Sequence, residues 1–432
     1  MDNPDQDRTN TAMQLAHFAT LALGVFTLSS SSHAAGLWLH ETGTEDLGTA
    51  TAGRAASAND ASIAGGNPAG MPLLNEEHSV TATMQMLYVN ARFDSETKIN
   101  GGGDGGNAGG LIPSGSASYA YKYNDDLSLG LSLGSYFGLG LDYGDDWEGR
   151  YYVTEAELLT MGINPSVGYR INERWLIGGG VNLFYSKLDQ RAAVKNFLNP
   201  DQGDGRLKLE DDAFGHGINL GLLFELSDDT RIGLSYRSQV DLEFEDALEF
   251  SNLGDALQPL EGTKADLDLN VPQSIMLSMH HDINEAWAIM ANVAWQEWSQ
   301  FGKQEISISN ANLNPVVIEK DLKFDDTWHF ALGTQYQINP ELRWSVGISH
   351  DTSPIDKAEN RTPDVPFDRI WRVATGLNYK WKENVTVGIA YEYMDLGPAE
   401  IDVSGNPVRG DLKGEYDTNA VHFFAANFNW TF

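Results

Sequence analysis

The chain has 432 residues, no cysteine and a formal net charge of −33 at pH 7. The charge disfavours nucleic acid as a partner, and the lack of cysteine excludes a fold held by disulfides. Glycine and aromatic residues are abundant, but no apolar run approaches the roughly 20 residues of a membrane-spanning helix. This composition favours one large β structure over several soluble domains.

Residues 1–34 are predicted to be a signal peptide. An apolar block from Leu15 to Leu28 precedes Ser32-His33-Ala34, which offers the small residues that a signal peptidase reads. The first eight residues are acidic, with three aspartates and one arginine, whereas a secretory signal normally begins basic. A poorly packed N-terminal helix is the alternative interpretation.

Residues 35–76 are predicted to form a segment that the rest of the chain encloses. They are rich in Gly, Ala, Ser and Thr and contain the run Gly65-Gly66-Asn67-Pro68-Ala69. Small side chains bury little apolar area and leave much backbone to be hydrogen-bonded, so an ordered form needs an enclosure. The rest of the chain is predicted to supply it.

Residues 77–432 read as an all-β transmembrane barrel. Apolar residues alternate with small or polar ones in segments of about ten residues, most clearly from Val421 to Phe432. Short turns alternate with long polar loops, which is typical of an outer-membrane barrel with periplasmic turns and extracellular loops. The segments predict about fourteen antiparallel strands in the outer membrane of a Gram-negative cell.

The connections can be placed from the sequence. Tight turns are predicted near residues 124–126, 171–173, 227–229, 283–285, 339–341 and 382–384, and long loops over about 94–113, 141–156, 189–211, 246–265, 302–323, 353–366 and 397–418. The long loops are acidic, and a solvated face explains this better than calcium sites because no ordered ligand loop appears. We predict no metal site.

Several stretches, in order along the chain, resemble the FadL family of outer-membrane long-chain fatty-acid and aromatic-hydrocarbon transporters. They are Ala35 to Leu37, Asn67 to Ala69, Asp146 to Tyr151, Asn164 to Tyr169, Trp298 to Phe301, Ser353 to Ile355, and Arg361 to Pro363 leading to Phe367 to Arg369. The resemblance implies a monomeric fourteen-stranded barrel whose lumen is plugged by an N-terminal hatch, residues 35–76. It also implies loops near 189–211 and 246–265 around the ligand pocket; both are short for a fatty-acid member.

The resemblance implies a path for the ligand. In the family, a hydrophobic molecule enters through extracellular loops, reaches a pocket near the mature N-terminus, here Leu37 and Trp38, and leaves sideways at a kinked third strand. The third strand is expected from Leu127 to Leu139 and contains Gly130, Gly134 and Gly138. These glycines favour a bend, or else ease packing against the hatch. With Asn67, Pro68 and Ala69 they are the predicted hatch and gate residues, and a static plug is the alternative.

A fatty acid would require a cation among apolar walls. Strand parity places Arg237, Arg343 and Arg372 on the lumen face, and Arg237 and Arg372 are the predicted ligand partners. The alternative is that each is a structural charge, paired with Asp241, Asp351 or Glu392.

The sequence predicts a passive transporter and not an enzyme. There is no cysteine nucleophile, no Gly-x-Ser-x-Gly turn and no metal-type histidine cluster, and we predict no cofactor. The predicted partners are a fatty acid or another hydrophobic compound, outer-membrane lipid and lipopolysaccharide, and the barrel-assembly machinery. Two alternatives stay open: uptake of aromatic or alkane hydrocarbons in the same fold, and a structural or adhesive barrel.

Overall fold

The computed structural model describes residues 37–38, 47–196, 201, 203–245, 248–254, 262–310, 313–406 and 409–432. In chain order the strands are β1 (Leu37–Trp38), β2 (His78–Ser95), β3 (Leu111–Lys122), β4 (Leu127–Asp142), β5 (Glu155–Arg170), β6 (Trp175–Val194), β7 (Gly205–Ser227), β8 (Thr230–Arg237), β9 (Val240–Phe244), β10 (Leu248–Ser251), β11 (Lys264–Val271), β12 (Ser274–Asp282), β13 (Trp287–Gln296), β14 (Lys303–Asn310), β15 (Leu313–Asp321), β16 (Thr327–Asn339), β17 (Leu342–Asp351), β18 (Ile370–Lys382), β19 (Val385–Asp395), β20 (Ile401–Val403) and β21 (Leu412–Thr431). The helices are α1 (Ile63–Gly66), α2 (Trp298–Phe301) and two 3₁₀ turns, Pro68–Leu73 and Ala358–Asn360. No helix in these described ranges is long and apolar enough to cross a membrane.

Fourteen strands form a closed antiparallel barrel, which confirms the prediction from the sequence. Their order around the wall is β2, β3, β4, β5, β6, β7, β8, β12, β13, β16, β17, β18, β19 and β21. The last strand, β21, pairs with β2 from Ser79–Thr431 to Ser95–Gly414 and so closes the wall. Closure matters because lipid cannot hydrogen-bond a free strand edge.

The six predicted tight turns each join two neighbouring barrel strands, but two predicted long loops are largely strand. In the predicted loop 189–211, β6 continues to Val194 and β7 begins at Gly205; the predicted loop 302–323 contains β14 and β15. These polar stretches form strands because alternate residues still point inward and are buried, as with Leu207 and Ile306.

A second sheet of four strands covers the extracellular side of the barrel. Its order is β15, β14, β11 and β9. One face buries Leu242, Leu267 and Ile306 in the same hydrophobic cluster as the inward side chains of the barrel. The other face is exposed and acidic, with Asp241, Glu243, Asp266, Asp268 and Glu305. The sheet is therefore a roof with a dry inner face and a solvated outer face.

The lumen has two levels, which can be seen along β2. Its inward residues near the periplasmic end are Ser79, Thr81, Thr83 and Gln85, and those toward the extracellular end are Leu87, Val89, Ala91 and Phe93. The first set presents hydrogen-bonding groups and the second presents apolar surface. The periplasmic half of the lumen is thus suited to hold polypeptide backbone, and the extracellular half to hold an apolar core.

Residues 47–74, which we call the inner segment, occupy the polar half. Their backbone N–H groups donate to wall side chains on three strands: Gly53 N to Asn292 Oδ1 at 2.8 Å, Ala55 N to Ser278 Oγ at 3.1 Å, and Ala61 N to Thr81 Oγ1 at 3.2 Å. Small residues permit this close approach, since a Cβ on Gly347 would lie 2.0 Å from Thr49 O. The predicted hatch at 35–76 and signal peptide at 1–34 also include residues 1–36 and 39–46, which lie outside the described residues, so these boundaries stay predictions.

Removing Trp430 to Phe432 should sharply reduce the amount of folded barrel. Phe432 exchanges both backbone hydrogen bonds with His78, at 2.9 and 3.0 Å, and stacks on its ring, so the deletion unpairs the end of the closing ladder. The measurement is the fraction of heat-modifiable, membrane-inserted protein on a gel. A normal fraction would contradict this role of the C-terminal residues.

Candidate ligand-binding interior

The extracellular half of the lumen is filled by one cluster of buried apolar side chains, which we call the apolar interior. Contributions come from barrel strands, from the roof and from the loops, and include Leu87, Phe93, Leu158, Leu188, Phe244, Phe250, Trp298, Phe301, Phe367, Ile370 and Phe423. Burial of so much apolar surface is the main stabilising term here. The same surface makes this region suited to a hydrophobic ligand.

A buried charged cluster lies between the apolar interior and the inner segment; we call it the charged floor. Arg372 on β18 contacts the Asp351 carboxylate, and its Nε is 3.7 Å from Glu392 Oε1. Asp351 also contacts His329 Nδ1, and His329 Nε2 lies 2.8 Å from Thr51 Oγ1 of the inner segment. Arg372 is 2% exposed and Glu392 0%. The floor is thus a continuous polar link from the inner segment toward the apolar interior.

A small cavity joins the floor to the apolar interior. Its volume is about 30 Å³, and both Asp351 and Arg372 line it together with the apolar residues Trp298, Phe367 and Ile370. In this structure the region is therefore packed by the protein's own side chains. A larger ligand would enter only by displacing some of them.

The structure places the other predicted ligand residues as follows. Arg237 Nη2 donates to Gly65 O of the inner segment at 2.5 Å. The backbone of Leu37 and Trp38 forms β1, which pairs with Gly138 and Phe137 of β4. The prediction that Asp241 points into the lumen is wrong: Asp241 is exposed on β9 and accepts from the Gln239 side chain. The chain leaves the barrel after β8, so the parity of the barrel strand does not continue into β9.

Asn67, Pro68 and Ala69 form a corner fixed to the wall. Asn67 Nδ2 donates to Ala55 O at 2.6 Å and to Leu222 O of β7 at 3.2 Å, while its Oδ1 accepts from Ala69 N at 3.2 Å. Pro68 starts the 3₁₀ turn, where its fixed φ is tolerated and its missing N–H costs nothing. One buried amide thus ties two parts of the inner segment to the barrel.

The three glycines of β4 have different surroundings. A Cβ on Gly130 would lie 2.5 Å from Met71 Sδ, so Gly130 permits the inner segment to pack against the wall. The β3–β4 ladder ends at the pair Ser116 and Gly134, and the pairing of β4 with β5 shifts register just after Ser135. Beyond that point β1 is paired to β4, at Gly138. We call this break between β3 and β4 the seam.

A polar cleft of about 870 Å³ lies on the extracellular surface, outside the apolar interior. Ion pairs tie the loop after β4 to the chain around the start of β7: Arg150 Nε to Asp204 at 3.0 Å and Arg206 Nη2 to Asp145 at 2.7 Å. Burial, together with the hydrogen bond to Asp204, raises the pKa of Tyr151 to about 12. The cleft holds charges rather than apolar walls, so it does not suit a hydrophobic ligand.

Two buried polar residues organise this region in ways that the sequence did not predict. His329 had no predicted role, and the prediction that Glu148 lies on the solvated face of an acidic loop is wrong. His329 connects Asp351 to the inner segment. Glu148 is fully buried, and its carboxylate accepts from the backbone N–H groups of Ile99, Asn100 and Gly102 at 2.6, 2.7 and 3.0 Å. Strand parity gives the inward direction of His329, but no local pattern in the sequence indicates which distant backbone Glu148 would bind.

Comparison with known proteins decides the family. The family described as "Outer membrane protein transport protein (OMPP1/FadL/TodX)" matches residues 25–432. The chain belongs to this family. The match confirms the predicted FadL-family resemblance and identifies the protein as an outer-membrane transport protein.

Similar proteins support the same assignment. The "Long-chain fatty acid transport protein" of Escherichia coli O6:H1 is 28% identical over 450 residues, covering 96% of this chain and 98% of that protein. "Outer membrane protein P1" of Haemophilus influenzae strain Rd is 26% identical, covering 87% and 89%. These relatives also confirm the predicted location in the outer membrane.

Solved structures confirm the fold. A FadL homologue from Pseudomonas aeruginosa has a TM-score of 0.82 at 19% identity, covering 92% of this chain and 100% of that one. The toluene transporter TodX of Pseudomonas putida has a TM-score of 0.69 at 18% identity, covering 92% and 99%. At these identities the similarity shows the barrel architecture alone.

Replacing Arg372 with Leu should destabilise the barrel strongly. The change leaves Asp351 and Glu392 buried without their guanidinium, and removing one partner of a buried ion pair typically costs about 3–5 kcal/mol. The measurement is the denaturant midpoint of the heat-modifiable form. Arg206→Leu is the control, because it breaks an exposed pair worth about 0–1 kcal/mol. Equal midpoints for the two variants would contradict a structural role for Arg372.

Proposed function

We propose that this protein takes up hydrophobic compounds, with long-chain fatty acids as its main substrates, by passive diffusion across the outer membrane. The observation that carries the proposal is the apolar interior, roofed by the four-stranded sheet and closed toward the periplasm by the inner segment. Dry apolar walls favour an apolar molecule over water and small polar solutes. The protein would act without a cofactor and without catalysing a reaction.

The choice of fatty acids follows the relatives. The Escherichia coli protein named a long-chain fatty acid transport protein matches nearly the whole of this chain. The roof and the loops of this chain build a single apolar interior on the same barrel type, and an alkyl chain would enter it by displacing side chains. We propose that Leu37 and Trp38 lie beside that ligand.

We propose that the ligand leaves sideways through the seam. There the β3–β4 ladder has ended, and β1 pairs with β4 beyond Gly134. Detachment of β1 would uncover a gap in the wall at the level of the hydrocarbon core. A hydrophobic molecule that uses this gap avoids any step through water. The corner at Asn67 to Ala69 would shift with the inner segment as the path opens.

The same fold would also suit aromatic or alkane hydrocarbons, because the apolar interior is not specific for chain shape. A structural or adhesive role is the other alternative, and the exposed acidic face of the roof is the surface it would use.

We propose that the protein is a monomer, since the barrel closes on itself. Its other partners would be the surrounding lipid and lipopolysaccharide and the barrel-assembly machinery.

Expression of this chain in a host that lacks its own fatty-acid transporter should restore growth on oleate. The same strain tested on toluene vapour, with a toluene-degrading background, measures hydrocarbon uptake. Restored growth on oleate supports the main proposal, and growth on toluene alone supports the hydrocarbon alternative. Growth on neither, with folded barrel present in the outer membrane, would contradict transport and favour an adhesive role.

Two substitutions test the lateral path. Gly134→Val stiffens β4 where its ladder with β3 ends, and replacing Asn67, Pro68 and Ala69 together with alanine releases the anchored corner. Each should abolish oleate uptake while the barrel stays folded and impermeable to small polar antibiotics.

Gly179→Val on β6 is the control. An added Cβ would meet its nearest atom at 3.3 Å at Gly179 and also at Gly134, so the two substitutions are sterically matched. It should leave uptake unchanged. Uptake that survives both test substitutions would exclude a lateral gate at the seam.

A further inference from the structure

The small cavity beside the charged floor is too small for the proposed ligands. Its volume is about 30 Å³, which is enough for water but not for an alkyl chain or an aromatic ring. A ligand that binds here therefore requires one of the lining side chains to move. The apolar side chains that line the cavity are Trp298, Pro354, Phe367 and Ile370.

Pro354 and Ile370 are poor candidates for movement. The ring of a proline is closed onto its own backbone. Ile370 is stiff at χ1 because it is branched at Cβ, and its backbone pairs with Asp351 in the wall. The choice therefore lies between the two aromatic side chains, Trp298 and Phe367, whose rings meet edge to face with their centroids 5.9 Å apart.

Trp298 separates the cavity from a row of buried aromatic rings. Its ring meets that of Phe301 edge to face with the centroids 5.3 Å apart, and Phe301 stacks on Phe324 at 6.0 Å. All three residues belong to the apolar interior. Trp298 also has the largest side chain among the four apolar residues that line the cavity. Because its ring borders the cavity and also packs on Phe301, its departure would join the cavity to the space beside Phe301.

A hydrogen bond holds the indole of Trp298 in the cavity wall. Nε1 donates to Gln296 Oε1 at 2.8 Å, and the same oxygen accepts from Thr327 Oγ1 at 3.3 Å. The net contribution of such a bond is modest, because water replaces it in the open state. A hydrophobic ligand that takes the place of the indole would restore the apolar contacts with Phe301 and Phe367. The exchange of ring for ligand therefore keeps the aromatic row packed.

We propose that Trp298 is the side chain that makes way for the ligand and so sets the affinity of the apolar interior. The inference rests on the proposed uptake of hydrophobic compounds and names the residue that controls entry to that site. With the indole in place the site is closed. With the indole turned away, the cavity and the vacated space form one site beside Phe301. The apparent affinity is then reduced in proportion to the fraction of molecules in which the indole has moved.

The first test removes the indole. Purified full-length barrel in detergent is titrated with radiolabelled oleate, and the affinity is corrected for partition into protein-free micelles. Trp298→Ala should bind oleate about tenfold more tightly, which is the change expected if the indole has moved in about one-tenth of the unliganded molecules. Trp298→Phe should give a smaller increase, because its ring is smaller than an indole and lacks the N–H group that bonds to Gln296.

Trp295→Ala is the matched control. Trp295 lies on β13 just before α2, and its Nε1 also donates to a side chain, Asp326 Oδ2 at 3.2 Å. Its neighbours Ala294 and Gln296 are buried, whereas Trp295 is partly exposed, so its side chain lies on the outer face of the wall. The control substitution should leave oleate affinity unchanged.

A second measurement keeps the tryptophan in place. The protein is labelled with fluorotryptophan, and the fluorine NMR resonances of Trp298 and Trp295 are assigned from the Trp298→Phe and Trp295→Phe variants. Oleate should shift the resonance of Trp298 and leave that of Trp295 where it is. This measurement decides alone if Trp298→Ala does not fold.

The outcomes distinguish this inference from the proposed function. Oleate affinity that is unchanged or lower in folded Trp298→Ala, or an equal increase in Trp295→Ala, would overturn the role of Trp298. A Trp298 resonance that stays in place while oleate binds would do the same, and each of these results leaves the proposed transport intact. Absence of oleate binding to the unmodified protein would instead contradict the proposed function, and the inference about Trp298 would fall with it.

Discussion

The barrel wall is held by backbone hydrogen bonds between neighbouring strands, and the roof, the inner segment and the apolar interior are all built on that wall. Within lipid each strand must be paired on both sides, and the long ladder between β2 and β21 meets this requirement where the chain closes on itself. The seam does not meet this requirement for pairing on both sides, because the β3–β4 ladder ends at Ser116 and Gly134. Pairing of β1 with β4 supplies part of what is missing. In the part of the chain that the structure describes, only Leu37 and Trp38 pair with β4 at this point, so few described backbone bonds close the wall here.

The same need for hydrogen-bond partners applies to the backbone inside the barrel. The inner segment has small side chains and little apolar surface, so side chains of the wall must satisfy its backbone, and polar residues of the periplasmic half do so. The charged floor forms the boundary of this polar level, and its contact with Thr51 links the inner segment to residues that line the cavity beneath the apolar interior. The side chains of the apolar interior therefore lie next to the groups that hold the inner segment. A change in the packing of those side chains would occur beside these groups.

Much of this arrangement can be predicted from sequence because it depends on period-two alternation. The fourteen strands, the tight turns and the inward direction of Arg372, Asp351 and Glu392 all follow from parity within single strands. Strand parity does not continue where the chain leaves the barrel, so it wrongly predicts an inward Asp241. The exposed residues of β14, such as Lys303 and Glu305, are polar, so the sequence wrongly predicts a loop there. The bond from Arg237 to Gly65 could not be predicted, since it depends on the path of a segment with no periodic pattern. The hydrogen bond from Gly102 N, in a distant glycine-rich loop, to Glu148 could not be predicted for the same reason.

A reversible cross-link between β3 and β4 tests whether a hydrophobic ligand leaves through the seam. The chain has no cysteine, so Ile112→Cys with Gly140→Cys gives one defined thiol pair; a Cβ on Gly140 would lie 3.9 Å from Ile112 Cδ1 across the seam. Ser118→Cys with Ser132→Cys, where the two hydroxyls are 3.2 Å apart within the intact β3–β4 ladder, is the control pair. Oleate uptake should stop when the seam pair is joined by a short cleavable cross-linker and return when the linker is cut, with no effect of joining the control pair. Undiminished uptake through a barrel whose seam is fully cross-linked would contradict lateral release.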